Sequence, residues 1–523
     1  MTDQAQQYSI QQVQEAHQKL TQADQAFSSG DSESAMEACL ELLEQYPDYY
    51  GALSLVGSIH AQQGNFGGAL PFLVRASLIN PYDGEMWRYL GWTYLELEAI
   101  PSALEALERS VSLSQNTSVA DHLLGAITFS AGKFETALKH FEASRALDPK
   151  NTGVLIRRAM CLAKLGRIDE AVQQLKTTYQ QHLSADHKAL VYQLLAEFPE
   201  LDQDLGLIDQ IDEDDDAAST PDLAQFVPSV SLYDVSRDFA RGIALDLRGQ
   251  HQEAWQILSA ANKRIADATS TQRDKYFLRE EELAQKAELW TPQSPVSEQE
   301  DTEGPVVLFI LGPSRSGKTT AENLMASLDG VEKAFENSLV DDVAQRVSKR
   351  AGFLTEYSLV NLPSHLNEEV SNQIQDEVDK LAGREKLVTI THPGVIFDVS
   401  RLKDIIPNSR FIFMKRNRDD MALRIFAYLY RSNTNHFAYD INEIYRYLET
   451  HDRLIDVWSK KIGDRVLVQS YEDMVRDPEA AVRSIAELCS LKPPAKLDLQ
   501  VPDDTGCAKP YLEWLHQSRK NSV

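Results

Sequence analysis

Over the first third of the chain, apolar positions recur at helical spacing, and the pattern itself repeats every 34 residues. Ala35, Ala69, Ala103, Ala137 and Ala171 share one phase of that period. Pro47, Pro81 and Pro149 share another, with Gln115 in the remaining slot. Gly57, Gly91 and Gly125 form a third series, continued by Ala159; Gly30, Gly64, Gly132 and Gly166 form a fourth, with Glu98 between them. Bulky residues keep the same phase, Leu53 with Trp87 and Leu73 with Leu107 and Phe141. These positions predict a two-helix unit. The first small residue lets the helices approach, the second glycine turns the chain, the alanine packs at the crossing, and the proline ends the second helix. Five such hairpins cover about 16–185.

A further helical stretch, Asp186–Leu205, follows. Gly242, Gly249 and Ala254 then repeat the relative spacing of Gly57, Gly64 and Ala69, which predicts a sixth hairpin, and the helical pattern runs to about Trp290. From 304 the pattern changes. Continuous apolar runs predict strands at Val306–Leu311, Leu387–Thr391, Arg410–Lys415 and Arg465–Gln469. Helical patterns lie at 319–328, 338–350, 366–382, 398–405, 418–432, 440–461 and 477–490. This alternation predicts an α/β domain with a parallel sheet covered by helices on both faces. In such a domain ligands sit beyond the carboxyl ends of the strands. The predicted organisation is an N-terminal segment 1–15, a helical array 16–205, an acidic linker 206–228, a repeat-like helical region 229–290, a second linker 291–303 and the α/β domain 304–523.

Composition narrows the partners. The 523 residues carry a formal net charge of −27, with a sequence pI of about 4.9, and would repel nucleic acid and anionic membranes. A small anion in a locally basic site remains compatible with that charge. Met1–Gln7 is polar and lacks the features of a signal peptide, and no run reaches the ~18 apolar residues of a membrane span. Cys39, Cys161, Cys489 and Cys507 are scattered, with neither metal-ligand nor disulfide spacing. The expectation is a cytoplasmic protein without a bound metal.

The chemistry concentrates after the first strand. Gly312-Pro313-Ser314-Arg315-Ser316-Gly317-Lys318-Thr319 matches the G-x-x-x-x-G-K-[ST] phosphate loop at every fixed position. A strand, a tight turn and a helix start aim backbone N–H groups at one point. Arg315 and Lys318 add charge, and Ser316, Thr319 and Thr320 add hydroxyls. A second basic cluster, Lys415, Arg416, Arg418 and Arg424, begins at the end of another strand. It reads either as a second anion site or as a basic turn pairing with Asp419 and Asp420.

The 34-residue array resembles the tetratricopeptide repeat, which implies a superhelix whose concave face docks a protein or peptide. The C-terminal order of motifs is similar to that of sulfotransferases using 3′-phosphoadenosine 5′-phosphosulfate (PAPS), in particular bacterial members with an N-terminal repeat array, related to the tyrosylprotein sulfotransferases. That order is a strand, the R-S-G-x-T-T loop, a strand ending in Arg416-Asn417, and Tyr471-Glu472-Asp473 with Asp477-Pro478. The resemblance implies that Arg315, Ser316, Gly317, Lys318, Thr319 and Thr320 hold the 5′-phosphosulfate. It implies that Arg416 holds the 3′-phosphate, with Arg424 where many members place a serine. Glu336 is then the general base, and the Tyr471 motif is structural. Two positions depart from the family. Lys318 replaces the usual threonine, and Thr391-His392-Pro393 lacks the lysine that precedes an X-Pro step in the tyrosylprotein branch. That leaves Lys318 or His392 to supply the missing charge. Two other readings stay open. One is an ATP-dependent kinase or NTPase, with Asp398 as the nearest metal-binding candidate; the other is a non-catalytic scaffold with a degenerate nucleotide fold.

Overall fold

The computed structural model describes residues 10–520 apart from 98, 115–116, 131–132, 181–182, 199–200, 202–231, 291–303, 335–338, 352–357, 431–434, 493–500 and 502. The predicted linkers 206–228 and 291–303, together with Glu98, Gln115, Gly132 and Glu336, lie outside the described residues. The chain divides into two compact units, to residue 182 and from Leu183 onward.

The first unit is helical from Ile10 to Tyr179, and its helices follow the 34-residue period. All five periodic alanines are fully buried. The glycine series has a steric cause. A Cβ on Gly57 would lie 2.5 Å from Leu73 Cγ, on Gly91 2.6 Å from Leu107 Cγ, and on Gly125 2.6 Å from Phe141 Cε1. Such separations are shorter than carbon–carbon contact, so the paired bulky residue of the second helix demands the missing side chain. Helices end at Gln45, Ile79 and Leu147, two residues before the periodic prolines.

In the second unit, helix Ala185–Glu197 is followed by a hairpin of Leu232–Leu247 and His251–Ala268 and by helix Ser270–Leu289. The hairpin repeats the array's packing rule, with a Cβ on Gly242 meeting Leu258 Cγ at 2.6 Å. These helices share the core of the α/β domain. Leu283, Ala284 and Ala287 pack with Val340, Val343 and Trp458, while Phe239, Leu258 and Phe277 pack with Phe426, Phe437 and Tyr511.

The sheet is five-stranded and parallel, in the order β2-β3-β1-β4-β5. Its strands are β1 Val306–Leu311, β2 Val331–Lys333, β3 Leu387–Ile390, β4 Ser409–Lys415 and β5 Val466–Ser470. Strand alternation divides β1 between two cores. Val307, Phe309 and Leu311 face helices Leu339–Arg350, Asn367–Ala382 and Ile441–Lys461, whereas Leu308 and Ile310 face Lys318–Met325 and Pro478–Leu488. Strand β2 has no counterpart among the strands expected from the sequence. It is a three-residue edge strand with two exposed charged residues, so it shows neither an apolar run nor alternation. The helix expected over 418–432 ends at Phe426, and the chain beyond turns Tyr428 and Tyr430 toward the loop after β1.

Candidate active site

The strand order reverses at β1, with β3 on one side and β4 on the other, so the crevice at their carboxyl ends is the place for a ligand. Every candidate side chain after a strand falls there: 312–320 after β1, Thr391 and His392 after β3, and Arg416 after β4. Glu336 belongs to the segment after β2 and is not described.

The β1 loop is built by three left-handed residues, Gly312 (φ 149°), Arg315 (φ 63°) and Gly317 (φ 94°). A Cβ on Gly317 would sit 2.4 Å from Tyr471 Cδ2, so only glycine fits between the loop and the start of the helix after β5. Gly317 caps helix Lys318–Met325, whose first-turn N–H groups have no intrahelical acceptors. The Ser316 side chain is fully buried, and its Oγ has no hydrogen-bond partner among the described residues. A buried hydroxyl left open in a loop of N–H donors suits an anionic ligand. Lys318 is only 6% exposed, and its Nζ donates to the carbonyls of Gly312 at 3.0 Å and Pro313 at 2.8 Å, closing the loop on itself. Thr319 is exposed and Thr320 half-buried.

Aromatic residues buttress the loop. The Arg315 guanidinium lies 3.6 Å from the ring centre of Tyr428, a cation–π contact. The Ser314 N–H donates to the Tyr447 hydroxyl at 2.9 Å, and Ser314 Oγ pairs with the Tyr430 hydroxyl at 2.7 Å. The His451 ring lies tilted against Tyr447, ring centres 4.2 Å apart, and burial, with Lys318 nearby, pushes its imidazole down to about 3, so it stays neutral.

The basic cluster after β4 sorts into two kinds. Lys415 pairs with Asp456 at 2.8 Å and Arg418 with Asp452 at 2.6 Å, both acids on Ile441–Lys461. Asp419 and Asp420 take other partners, the hydroxyl of Tyr445 and the backbone N–H groups of Gly506 and Ala508. Arg416 and Arg424 instead converge on one carboxylate. Arg416 Nη2 lies 2.8 Å from Asp504 Oδ1, Arg424 Nε donates to Asp504 Oδ2 at 2.9 Å, and the Tyr471 hydroxyl donates to Oδ1 at 2.6 Å. Burial works against the charge on Asp504, but these three donors hold its carboxyl below the usual carboxylate range. The same motif fixes the frame. Glu472 Oε1 accepts from the Asn417 N–H at 2.8 Å, and Asp477 caps helix Pro478–Leu488 by accepting from the Ala480 N–H at 3.0 Å.

His392 faces Asp341, with Nδ1 3.7 Å from Oδ2. Burial, reinforced by neighbouring Asp342 and opposed by Arg279, pushes the Asp341 carboxyl up to about 7. Thr391, in the slot of the missing lysine, is fully buried, and its Oγ1 has no partner among the described residues. Asp398 accepts from the Ser358 hydroxyl at 2.7 Å beside a short 3₁₀ turn. Asp504, Tyr428, Tyr430 and Asp341 had no motif in the sequence; only the fold brings them to the crevice.

Residues 305–494 match a family described as the sulfotransferase family, and residues 20–78 and 128–198 match tetratricopeptide repeats. An uncharacterized protein of Aquifex aeolicus (strain VF5) is 22% identical over 356 residues, which are 66% of this chain and 44% of that protein. General transcription factor 3C polypeptide 3 of Homo sapiens is 32% identical over 85 residues, 16% of this chain and 10% of that one. The chain therefore spans less than half the length of these relatives. Among solved structures, MamA is 21% identical over 32% of this chain and 90% of its own, with a TM-score of 0.29. PilF of Pseudomonas aeruginosa is 18% identical over 38% of this chain and 90% of its own, with a TM-score of 0.33. No helix among the described residues is long and apolar enough to cross a membrane. The chain thus joins an N-terminal tetratricopeptide-repeat array to a C-terminal domain of the sulfotransferase family.

Proposed function

We propose that the protein is a cytoplasmic sulfotransferase that moves the sulfuryl group of PAPS to a hydroxyl acceptor, a protein tyrosine, a carbohydrate or a metabolite, while the repeat array docks a protein or peptide. The observation that carries the donor is the pair of anion-binding constructions on adjacent strands. A phosphate loop follows β1, and a two-arginine cradle follows β4. A nucleotide with phosphates at both ends of its ribose fits such a pair; one with a single phosphate position leaves the cradle unused.

In this reaction the acceptor oxygen attacks sulfur in line, the bond from sulfur to the 5′-phosphate oxygen breaks, and the acceptor proton passes to a base. Glu336 is the proposed base, by the family resemblance. Negative charge grows on the departing bridging oxygen. The loop N–H groups, Arg315 and Lys318 are the groups available to stabilise it, with His392 on the neighbouring strand end. Calorimetry tests the donor site: adenosine 3′,5′-bisphosphate should bind without magnesium and far more tightly than 5′-AMP. Equal affinities, or a preference for Mg-ATP, would remove the donor assignment. Transfer of labelled sulfate from PAPS into a lysate of the source cells would then identify the acceptor.

A further inference from the structure

Asp504 gives the β4 cradle an internal occupant. Its carboxylate takes a donor from each of Arg416, Arg424 and Tyr471, the arrangement a bound phosphate would be given. The Asp504 carboxylate meets both guanidiniums directly, while Asp503 acts on Arg416 and Asp246 on Arg424 at longer range. The cradle also has donors in reserve. The Arg416 side chain is 5% exposed, and its Nε is buried without a hydrogen-bond partner among the described residues. A phosphate dianion would match the two positive charges and offer more acceptor oxygens than a carboxylate.

The turn carrying Asp504 is anchored next door. Asp420, on helix Arg418–Phe426, accepts from the Gly506 N–H at 2.7 Å and the Ala508 N–H at 2.9 Å. Gly506 is left-handed (φ 76°), and Thr505 is tied back to Asp503 through both its N–H and its hydroxyl. Only Thr505 thus separates the cradled residue 504 from the anchor, whose first residue, Gly506, is itself the glycine pivot. Asp504 is also held through its carbonyl, which accepts from the Cys507 N–H at 3.3 Å and from Arg416 Nη2 at 3.3 Å, so leaving the cradle means opening these two bonds at 504–507 while Asp420 keeps the turn attached.

We infer that Asp504 is an autoinhibitory counter-ion, a built-in anion that occupies the Arg416–Arg424–Tyr471 cradle and must be displaced by the 3′-phosphate of the donor. This rests on the donor assignment above and adds the regulation of that same site. The apparent affinity for a doubly phosphorylated nucleotide is reduced by the fraction of molecules in which Asp504 holds the cradle. Donor binding is coupled in turn to release of the 503–505 turn.

The test titrates the full-length protein and its Asp504→Ala and Asp504→Asn variants with adenosine 3′,5′-bisphosphate and with 5′-AMP. Asn keeps the shape and the acceptor oxygen but removes the charge, so it controls for disturbance of the turn. Both variants should bind the bisphosphate about tenfold or more tightly than the parent, with 5′-AMP affinity nearly unchanged. Amide exchange at 505 should rise in the parent when bisphosphate is added. Bisphosphate affinity that is unchanged or weaker in both variants, with the parent still preferring it over 5′-AMP, overturns the autoinhibitory role and leaves the donor site standing. If neither parent nor variants prefer the bisphosphate, both fall together.

Discussion

The guanidinium of Arg416 donates to the carbonyl oxygen of Arg315 at 3.1 Å, across 101 residues of sequence. This bond ties the end of β4 to the tip of the loop after β1. It fixes the spacing between that loop and the Asp504 cradle, because the arginine that holds Asp504 also holds the loop backbone. A guanidinium can do this where an ammonium would not, as its planar fork presents several donors at set angles.

Removing Arg416 should therefore affect both sites. Arg416→Ala is expected to weaken 3′,5′-bisphosphate binding by about ten- to a hundredfold, the range for a lost charge-assisted contact. It should also weaken 5′-AMP binding, whereas Arg424→Ala should spare 5′-AMP. Calorimetry with both ligands on both variants checks this, and identical profiles would contradict the link through Arg315.

Gly317 has no room for a side chain. Its φ is 94°, and a Cβ would meet Tyr471 at 2.4 Å. Gly317→Ala should cost about 1–3 kcal/mol of stability through backbone strain and displacement of Tyr471. Since Tyr471 also holds Asp504, bisphosphate affinity should change as well. Urea unfolding beside a binding titration measures both effects.

Lys318 donates to two carbonyls of its own loop, so it shapes the loop. Lys318→Ala should lower turnover ~100- to 1,000-fold if its charge acts on the transition state. A rise in donor KM with kcat intact would assign it to ground-state binding. Lys318→Thr restores the residue usual in the family. A Thr variant as fast as the parent would remove Lys318 as the substitute for the missing lysine and turn attention to His392.

Asp341 makes a pH-dependent contribution. A carboxyl raised to about 7 is protonated in the folded protein while its unfolded counterpart ionises near 3.8. The unfolded state then binds fewer protons, so this group lowers stability as pH rises from about 4 through about 7. Asp342, Arg279 and His392 surround it and set the position of the window. Asp341→Asn should be stabilising relative to the parent, by a margin that grows across that window on the order of 1 kcal/mol per pH unit and levels off above it. Thermal melts of both proteins at pH 5 and pH 8 check the sign.

A protein beginning at Leu183 should fold and bind nucleotide but lose activity on a macromolecular acceptor, since it lacks the first five repeat hairpins. One beginning at Gly304 should be insoluble or unfolded. It would expose the surfaces that Leu283, Ala284, Ala287 and Phe277 cover in the domain core. Solubility and circular dichroism of the two truncations distinguish these outcomes. Equal activity of the Leu183 protein on the native acceptor would remove the docking role of the array.

Local regularity made part of this protein legible in its sequence. The 34-residue period survives because each repeat meets only its neighbours, so the Gly57–Leu73 and Gly91–Leu107 contacts recur at fixed offsets. The glycine-rich loop after β1 is legible because one continuous segment carries its strand, turn and helix start. Buried strands β1, β3 and β4 announce themselves as apolar runs. Edge strand β2 does not, since half-exposed Val-Glu-Lys has no need of one. The sequence also placed Arg416 and Arg424 in one basic cluster with Lys415 and Arg418, and nothing local separated the two that share Asp504 from the two that pair elsewhere. That sorting required Asp456 and Asp452 on one helix and Asp504 some eighty residues downstream. Side chains brought together by long-range closure leave no periodic mark. The tertiary structure alone decided which arginines share the Asp504 carboxylate, which tyrosines hold the loop, and which helices the α/β domain needs for its core.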